Sequence, residues 1–135
     1  MVTTGDYARP LLAQSIGGGG GWITADVDAV SEALLGATDN SGNTSGGNVS
    51  ITNRADLTST GDGAAALVGQ SIGGGGGVVG NQAGALSMGS VRGSGRASGG
   101  AVTIENTATL ATQGDDAPVA FAQSIGGGGG RANNL

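Results

Sequence analysis

The sequence predicts an all-β fold of the β-solenoid type, in which short strands from successive repeats stack around a thin core. The octapeptide QSIGGGGG occurs three times, at residues 14–21, 70–77 and 123–130. Apolar and polar residues alternate between these copies, which is typical of half-buried strands. The chain has 31 Gly but only one Trp, one Tyr and one Phe, so it lacks the large side chains of an ordinary globular core.

The spacing of the repeats is regular. The second and third octapeptides are 53 residues apart, and the same offset carries GGNVSITNRADLTSTGD onto GGAVTIENTATLATQGD. The first and second are 56 residues apart, so residues 22–45 contain about three extra loop residues. We predict one repeat segment over residues 1–135, with units at about 1–45, 46–98 and 99–135. A repeat of 53 residues also suggests two solenoid turns per repeat.

Two brief strands are predicted in each of the later units. Their alternating apolar residues are Val49, Ile51 and Leu57, matched by Val102, Ile104 and Leu110. Asn53 and Asn106 stand at the break between the strands, where Asn tolerates a left-handed backbone. Further strands are favoured within residues 25–35 and 84–91, although the apolar spacing of residues 25–35 also fits one to two helical turns. A loop is predicted at residues 39–47.

A third strand leads into each octapeptide, and every second residue is assigned to its inward face. These residues are Ala8, Pro10, Leu12, Gln14 and Ile16; Ala64, Ala66, Val68, Gln70 and Ile72; and Ala117, Val119, Phe121, Gln123 and Ile125. We expect structural roles for the three glutamines and the three isoleucines. Two turns per repeat would break a direct glutamine ladder, so each amide is expected to bond the neighbouring glycine run.

The glycine runs are expected to form either close-packed corners or an extended glycine helix, because five glycines are costly to order. A phosphate-binding loop is not expected, since the chain has no Lys and no common helix follows the runs.

Neither a metal site nor an active site is strongly indicated. Asp6, Asp62 and Asp115 recur in Gly-Asp pairs and are weak calcium candidates, although a turn-capping role is favoured for them. The chain has no His and no Cys, and the nearest acid–base pair, Arg54 with Asp56, becomes Thr107 and Thr109 in the next unit. We expect no enzyme activity and no cofactor.

The formal net charge of −5 argues against nucleic-acid binding. No membrane-spanning stretch and no signal peptide are predicted. We expect an excised or truncated piece of something longer, or a subunit that stacks end to end into homo-oligomers through exposed strand edges.

The string SMGSVRGSGRASGGAVTIENTATLATQGDDAPVAFAQSIGGGGG, residues 87–130, resembles glycine-rich repeats in the passengers of autotransporters, the type V secreted proteins of Gram-negative bacteria. Such units cover nearly the whole chain. The resemblance implies a right-handed parallel β-helix displayed at the bacterial cell surface, often as an adhesin. It also implies a parent protein anchored in the outer membrane by a barrel that this chain lacks. No functional residue is carried over.

These observations favour a structural repeat segment of a surface adhesin, with possible contacts to surfaces, matrix or glycans. The alternative is a flat-face binder of glycan or ice, for which Thr58, Ser59 and Thr60 with Thr109 and Thr112 offer a polar row. A regular outward threonine array would favour that alternative.

Overall fold

The computed structural model describes residues 1–23, 32–35, 44–82, 85–88, 96–127 and 129–134. Across these residues the fold is all-β, without an α-helix. The strands are β1 (Val2–Thr3), β2 (Leu11–Ile16), β3 (Gly20–Ile23), β4 (Glu32–Leu35), β5 (Val49–Asn53), β6 (Leu57–Ser59), β7 (Leu67–Ile72), β8 (Gly76–Gln82), β9 (Ala85–Met88), β10 (Val102–Asn106), β11 (Leu110–Thr112), β12 (Ala120–Ile125) and β13 (Gly129–Asn134). This part of the chain contains no helix that could span a membrane.

Each sheet collects the equivalent strands of successive repeats. The three-stranded sheets have the orders β1-β6-β11, β2-β7-β12 and β3-β8-β13, while β5 pairs with β10 and β4 with β9. Where the register is defined the strands are parallel, with Val102 beside Val49 and Val2 beside Thr58. The middle repeat supplies the central strand of every three-stranded sheet. Among the described residues, one repeat therefore contributes at most one strand to each sheet.

The prediction of two turns per repeat is wrong. Strands of neighbouring repeats lie side by side, and residues 53 or 56 positions apart bond each other directly. Within its described residues the middle repeat instead divides its length among five strands, β5 to β9. Three strands that begin inside the glycine runs, β3, β8 and β13, were not predicted, since glycine is depleted in strands.

The alternation predicted for β5 and β10 is confirmed. Val49 and Ile51 are buried, whereas Ser50 and Thr52 between them are exposed. β10 repeats the pattern less completely and lies at the edge of its two-stranded sheet. Strands β4 and β9 lie within the two other segments predicted as strands. The remaining residues of those segments, and residues 39–43 of the predicted loop, lie outside the described residues.

The turn after β5 differs from the prediction. Asn53 does not have a positive φ; its side chain forms the turn instead, with Nδ2 donating to the Ala55 carbonyl at 2.8 Å and Oδ1 accepting from the Ala55 amide at 3.3 Å. Left-handed residues outside the glycine runs lie at the Gly-Asp corners, where Tyr7, Gly63 and Asp116 have φ of 57°, 63° and 51°. These three occupy equivalent places in the three repeats.

The apolar core joins β5 and β6 to the start of β7. Its buried members are Val49, Ile51, Leu57, Ala66 and Leu67, and the half-buried residues packed against them are Leu11, Ala13, Val102, Ile104 and Leu110. A Cβ at Gly69 would lie 2.9 Å from Val102 and 3.3 Å from Ile51. Gly69 therefore leaves room for the large aliphatic side chains of β5 and β10.

The inward-face assignment for the third strand needs correction. The side of β7 that meets this core carries Leu67, from the set taken to face outwards. Val68, Gln70 and Ile72 are buried as well, so β7 is covered on both faces. In the edge strand β12, Phe121, Gln123 and Ile125 are less exposed than their neighbours, as predicted. Val119 is 43% exposed, contrary to the prediction.

Contacts between Cα atoms divide the chain into two units, and each takes a segment from every repeat. One consists of Met1–Gln14, Val49–Gln70 and Val102–Gln123 and contains the apolar core. The other consists of Ser15–Asn48, Ser71–Ala101 and Ser124–Leu135 and contains the glycine runs.

Leu57 and Leu110 form a matched pair for testing this core, because they occupy the same repeat position in register. Leu57 is 3% exposed, whereas Leu110 is half-buried. We expect Leu57→Ala to lower the free energy of unfolding by about 2–5 kcal/mol, and Leu110→Ala to lower it by clearly less. Denaturant titration of both variants measures the difference. Equal losses would contradict the central position of the middle repeat.

Candidate functional site

The three glutamines of the octapeptides form a glutamine column, consisting of Gln14, Gln70 and Gln123. Gln14 Nε2 donates to Gln70 Oε1 at 2.5 Å, and Gln70 Nε2 donates to Gln123 Oε1 at 2.5 Å. The expectation that each amide bonds its glycine run is therefore wrong. Equivalent residues are sheet neighbours, about 4.8 Å apart, which is the spacing that amide ladders require.

Burial makes the central amide of this column energetically important. Gln70 is fully buried, and its side chain accepts from Gln14 and donates to Gln123, the glutamines of the two neighbouring repeats. A hydrogen bond of this kind stabilises a fold by about 1 kcal/mol net, but an unpaired buried amide costs about 1–3 kcal/mol. The burial is therefore tolerated because the same residue recurs in every repeat.

The serines of the octapeptides and the Gly-Gly pairs form a second set, the serine–glycine column, consisting of Ser15, Gly47, Ser71, Gly100 and Ser124. Ser71 Oγ donates to the Gly47 carbonyl at 2.7 Å and accepts from the Gly100 amide at 2.8 Å. Ser15 Oγ accepts from the Gly47 amide, and Ser124 Oγ donates to the Gly100 carbonyl, both at 2.8 Å. Each serine thus joins strand ends that are distant in sequence.

This column also explains the Gly-Gly pairs. A Cβ at Gly46 would lie 2.6 Å from Ser71 Oγ, and one at Gly99 would lie 2.5 Å from Ser124 Oγ. A Cβ at Gly100 would lie 2.5 Å from the backbone of Gly47. No side chain fits at these places, because the serines and the backbone occupy the space.

The glycine runs form corners rather than an extended helix. A Cβ at Gly17 would overlap the backbone of Thr44 and Ser45, and one at Gly73 would overlap that of Ser98. The next residues require positive φ, with 85° and 87° at Gly18 and Gly19 and the same conformation at Gly74 and Gly75. Close approach and left-handed backbone together account for the first three glycines of a run.

The amides of the runs are already used. The Gly17 and Gly73 amides each donate at 2.8 Å, to the Ile72 and Ile125 carbonyls respectively. Those of Gly74 and Gly75 donate to the carbonyls of Thr44 and Gly17, at 3.0 and 2.6 Å. These bonds leave the four amides occupied, whereas a phosphate loop presents free amides to its anion.

The isoleucines of the octapeptides flank these corners. Ile72 is fully buried, while Ile16 and Ile125 are half-buried on the two outer strands of their sheet. Their burial thus follows the position of the repeat in the sheet.

The weak calcium candidates form an aspartate column, consisting of Asp6, Asp62 and Asp115. Asp6 Oδ1 accepts from the Asp62 amide at 3.1 Å, and Asp62 Oδ1 accepts from the Asp115 amide at 2.8 Å. The glycines that precede these aspartates are stacked so closely that a Cβ at Gly61 or Gly114 would overlap the backbone of the Gly-Asp corner in the preceding repeat. Within the described ranges, no three acidic, His or Cys side chains cluster in a way that could hold a metal.

The acid of the predicted acid–base pair also bonds the next repeat. Asp56 Oδ1 accepts from the Thr109 amide at 2.8 Å. Asn48 Oδ1 likewise accepts from the Ala101 amide at 2.9 Å, and Asn53 Nδ2 donates to Asn106 Oδ1 at 2.7 Å. Sequence reasoning missed these contacts, although the recurrence of Asn53 at Asn106 was a usable signal.

The polar row considered for glycan or ice does not form a regular outward array. Ser59 is fully buried and its hydroxyl donates to the Ala64 carbonyl. Thr58 lies between Val2 and Ala111 in its sheet rather than between threonines.

Comparison with protein-family models, with curated proteins and with solved structures gives no match for this chain.

Gln70→Glu tests the glutamine column through pH. The buried site raises the pKa of the introduced carboxyl above the value of about 4.3 found for free Glu. Its protonated form can still donate to Gln123 and accept from Gln14. Since the folded pKa is the higher one, the loss of stability is absent below about pH 4.3 and grows as the pH rises through the folded pKa.

Urea unfolding of Gln70→Glu at pH 4 and pH 7 measures this dependence. Gln113→Glu is the matched control, since Gln113 is exposed and the change adds the same charge. After subtraction of the unsubstituted chain, we expect a marked loss at pH 7 for Gln70→Glu and almost none for Gln113→Glu. Equal pH dependence in both variants would show that Gln70 is not buried.

Proposed function

We propose that the chain is a non-catalytic structural segment of a right-handed parallel β-helix. In this proposal it forms the stalk, or a self-stacking filament, of a secreted or cell-surface adhesin of the autotransporter type. The supporting observation is that the residues repeated in all three copies of the motif bond one repeat to the next. The glutamine and aspartate columns consist of such residues, and Ser15 and Ser71 each accept a hydrogen bond from a glycine amide of the following repeat.

The differences between repeats support the same proposal. The positions paired between β5 and β10 are identical where the side chains of β5 are buried, as in Val49 with Val102 and Ile51 with Ile104. They differ where those of β5 are exposed, as in Thr52 with Glu105. The residues that are identical between the repeats are therefore those that contact the neighbouring repeat, and the exposed residues vary. This favours a spacer over a flat-face binder.

The chemistry of the surface fits an extracellular structural role. The chain has no Cys, and its charged residues are 11% of the total, with a formal net charge of −5. Small polar side chains such as Ser50, Thr52 and Thr103 cover the exposed face of β5 and β10. Such a face remains wet, and no cofactor or substrate is required for a stalk.

Duplication of the middle repeat tests the proposal. Five extra copies of residues 46–98, inserted after Ser98, should extend the particle by about 4.8 Å per copy, or about 24 Å, with unchanged cross-section. Small-angle X-ray scattering measures the length and the cross-section. The matched control inserts the same residues in scrambled order, which should give a flexible loop. A compact particle that grows in all directions would contradict the stalk.

A further inference from the structure

The two ends of the glutamine column are chemically different. Within the described residues, Gln14 Oε1 accepts no hydrogen bond, and Gln123 Nε2 donates none. All amides of the column point the same way, since each Nε2 donates towards the later repeat. The first repeat therefore presents an acceptor and the third repeat presents a donor.

The aspartate column has the same polarity. Each carboxylate accepts from the aspartate amide of the following repeat, so the Asp115 carboxylate is an acceptor without such an amide among the described residues. At the other end, the Asp6 amide is the equivalent donor. The first repeat thus presents an acceptor at Gln14 and a donor at Asp6. The third repeat presents a donor at Gln123 and an acceptor at Asp115, and both columns lie in the same unit.

The strands beside these groups are sheet edges. β11 and β12 are the outer strands on the side of the third repeat, and β1 and β2 are the outer strands on the side of the first. Val2 is 65% exposed and Val119 is 43% exposed at these opposite edges. Exposed strand edges with apolar side chains are templates for pairing with another chain.

We propose that the third repeat of one chain docks on the first repeat of a second copy, head to tail and in register. Gln123 Nε2 of one copy donates to Gln14 Oε1 of the next, and Asp115 accepts from the next copy's Asp6 amide. This inference rests on the proposed function and adds to it the polarity of the filament and the residues that set it. Because the contact does not close on itself, it generates open chains rather than dimers.

The repeat offsets define the strand pairing across this contact. β1 of the second copy pairs with the free edge of β11, and β2 of the second copy pairs with the free edge of β12. Within the chain, β6 and β7 pair with the other edges of β11 and β12 respectively. Val2 of the second copy then lies beside Ala111. This continues the register within one chain, where Thr58 lies between Val2 and Ala111. The docking thereby covers exposed apolar surface at both edges.

Gln123→Glu separates the contact from the fold. A carboxylate at this position still accepts the hydrogen bond of Gln70 Nε2, but it cannot donate to Gln14 of a second copy. We expect at least about a tenfold weaker association. Gln113→Glu adds the same charge at an exposed side chain and should leave association nearly unchanged. Sedimentation across a concentration series in about 0.15 M salt measures both variants, and equal behaviour would overturn the proposal.

Mixing two variants tests the polarity. Gln14→Lys keeps a donor for Gln70 Oε1 but places it against the donor of Gln123 in a second copy. Gln14→Lys and Gln123→Glu should each associate weakly alone, whereas their mixture should associate as the unsubstituted chain does. Head-to-head contacts would give no such rescue, which would overturn the proposal.

Circular dichroism of the same samples distinguishes a failure of the docking from a failure of the proposed function. A monomeric chain with a β spectrum at high protein concentration would overturn the docking alone. A spectrum without β structure would overturn the proposed function together with the docking.

Discussion

The fold depends on hydrogen bonds between identical positions of neighbouring repeats. A buried amide such as Gln70 needs both a donor and an acceptor, and a parallel neighbour about 4.8 Å away supplies them when it carries the same residue at the same place. Replacement in one repeat leaves a partner in the next unsatisfied. The recurrence of the octapeptide therefore has a direct energetic cause, and the repeats stabilise one another rather than fold separately.

Glycine makes this stacking possible at the corners. At Gly61 and Gly114 the backbones of neighbouring repeats approach too closely for a Cβ, and at Gly46 the serine hydroxyl fills the space. Elsewhere, as at Gly18, the chain turns through a left-handed conformation. The conformational entropy of these glycines opposes folding. Bonds from glycine amides such as those of Gly17, Gly46 and Gly74 to neighbouring carbonyls offset this cost, which explains how a chain with so few large side chains orders its corners.

Local patterns predicted the strands better than they predicted their packing. The alternation around Val49 and Ile51 identified β5, because one face of that strand is buried and the other is wet. β7 is buried on both faces, so alternation could not reveal which side meets the core. The number of strands per repeat was also hidden, since the glycine-initiated strands have no apolar pattern. Recurrence of Gln and Asp located the columns, but their bonds depend on the pairing of repeats.

A pair of engineered cysteines tests whether equivalent strands of neighbouring repeats are adjacent in a sheet. Ser50 and Thr103 are exposed partners in register on β5 and β10, and the chain has no native Cys. Parallel partners lie about 4.8 Å apart, within the Cα separation that a disulfide allows. On oxidation, Ser50→Cys with Thr103→Cys should close a disulfide detectable by mass spectrometry, while Ser50→Cys with Glu105→Cys should not. An unreactive in-register pair would show that another strand separates the two repeats.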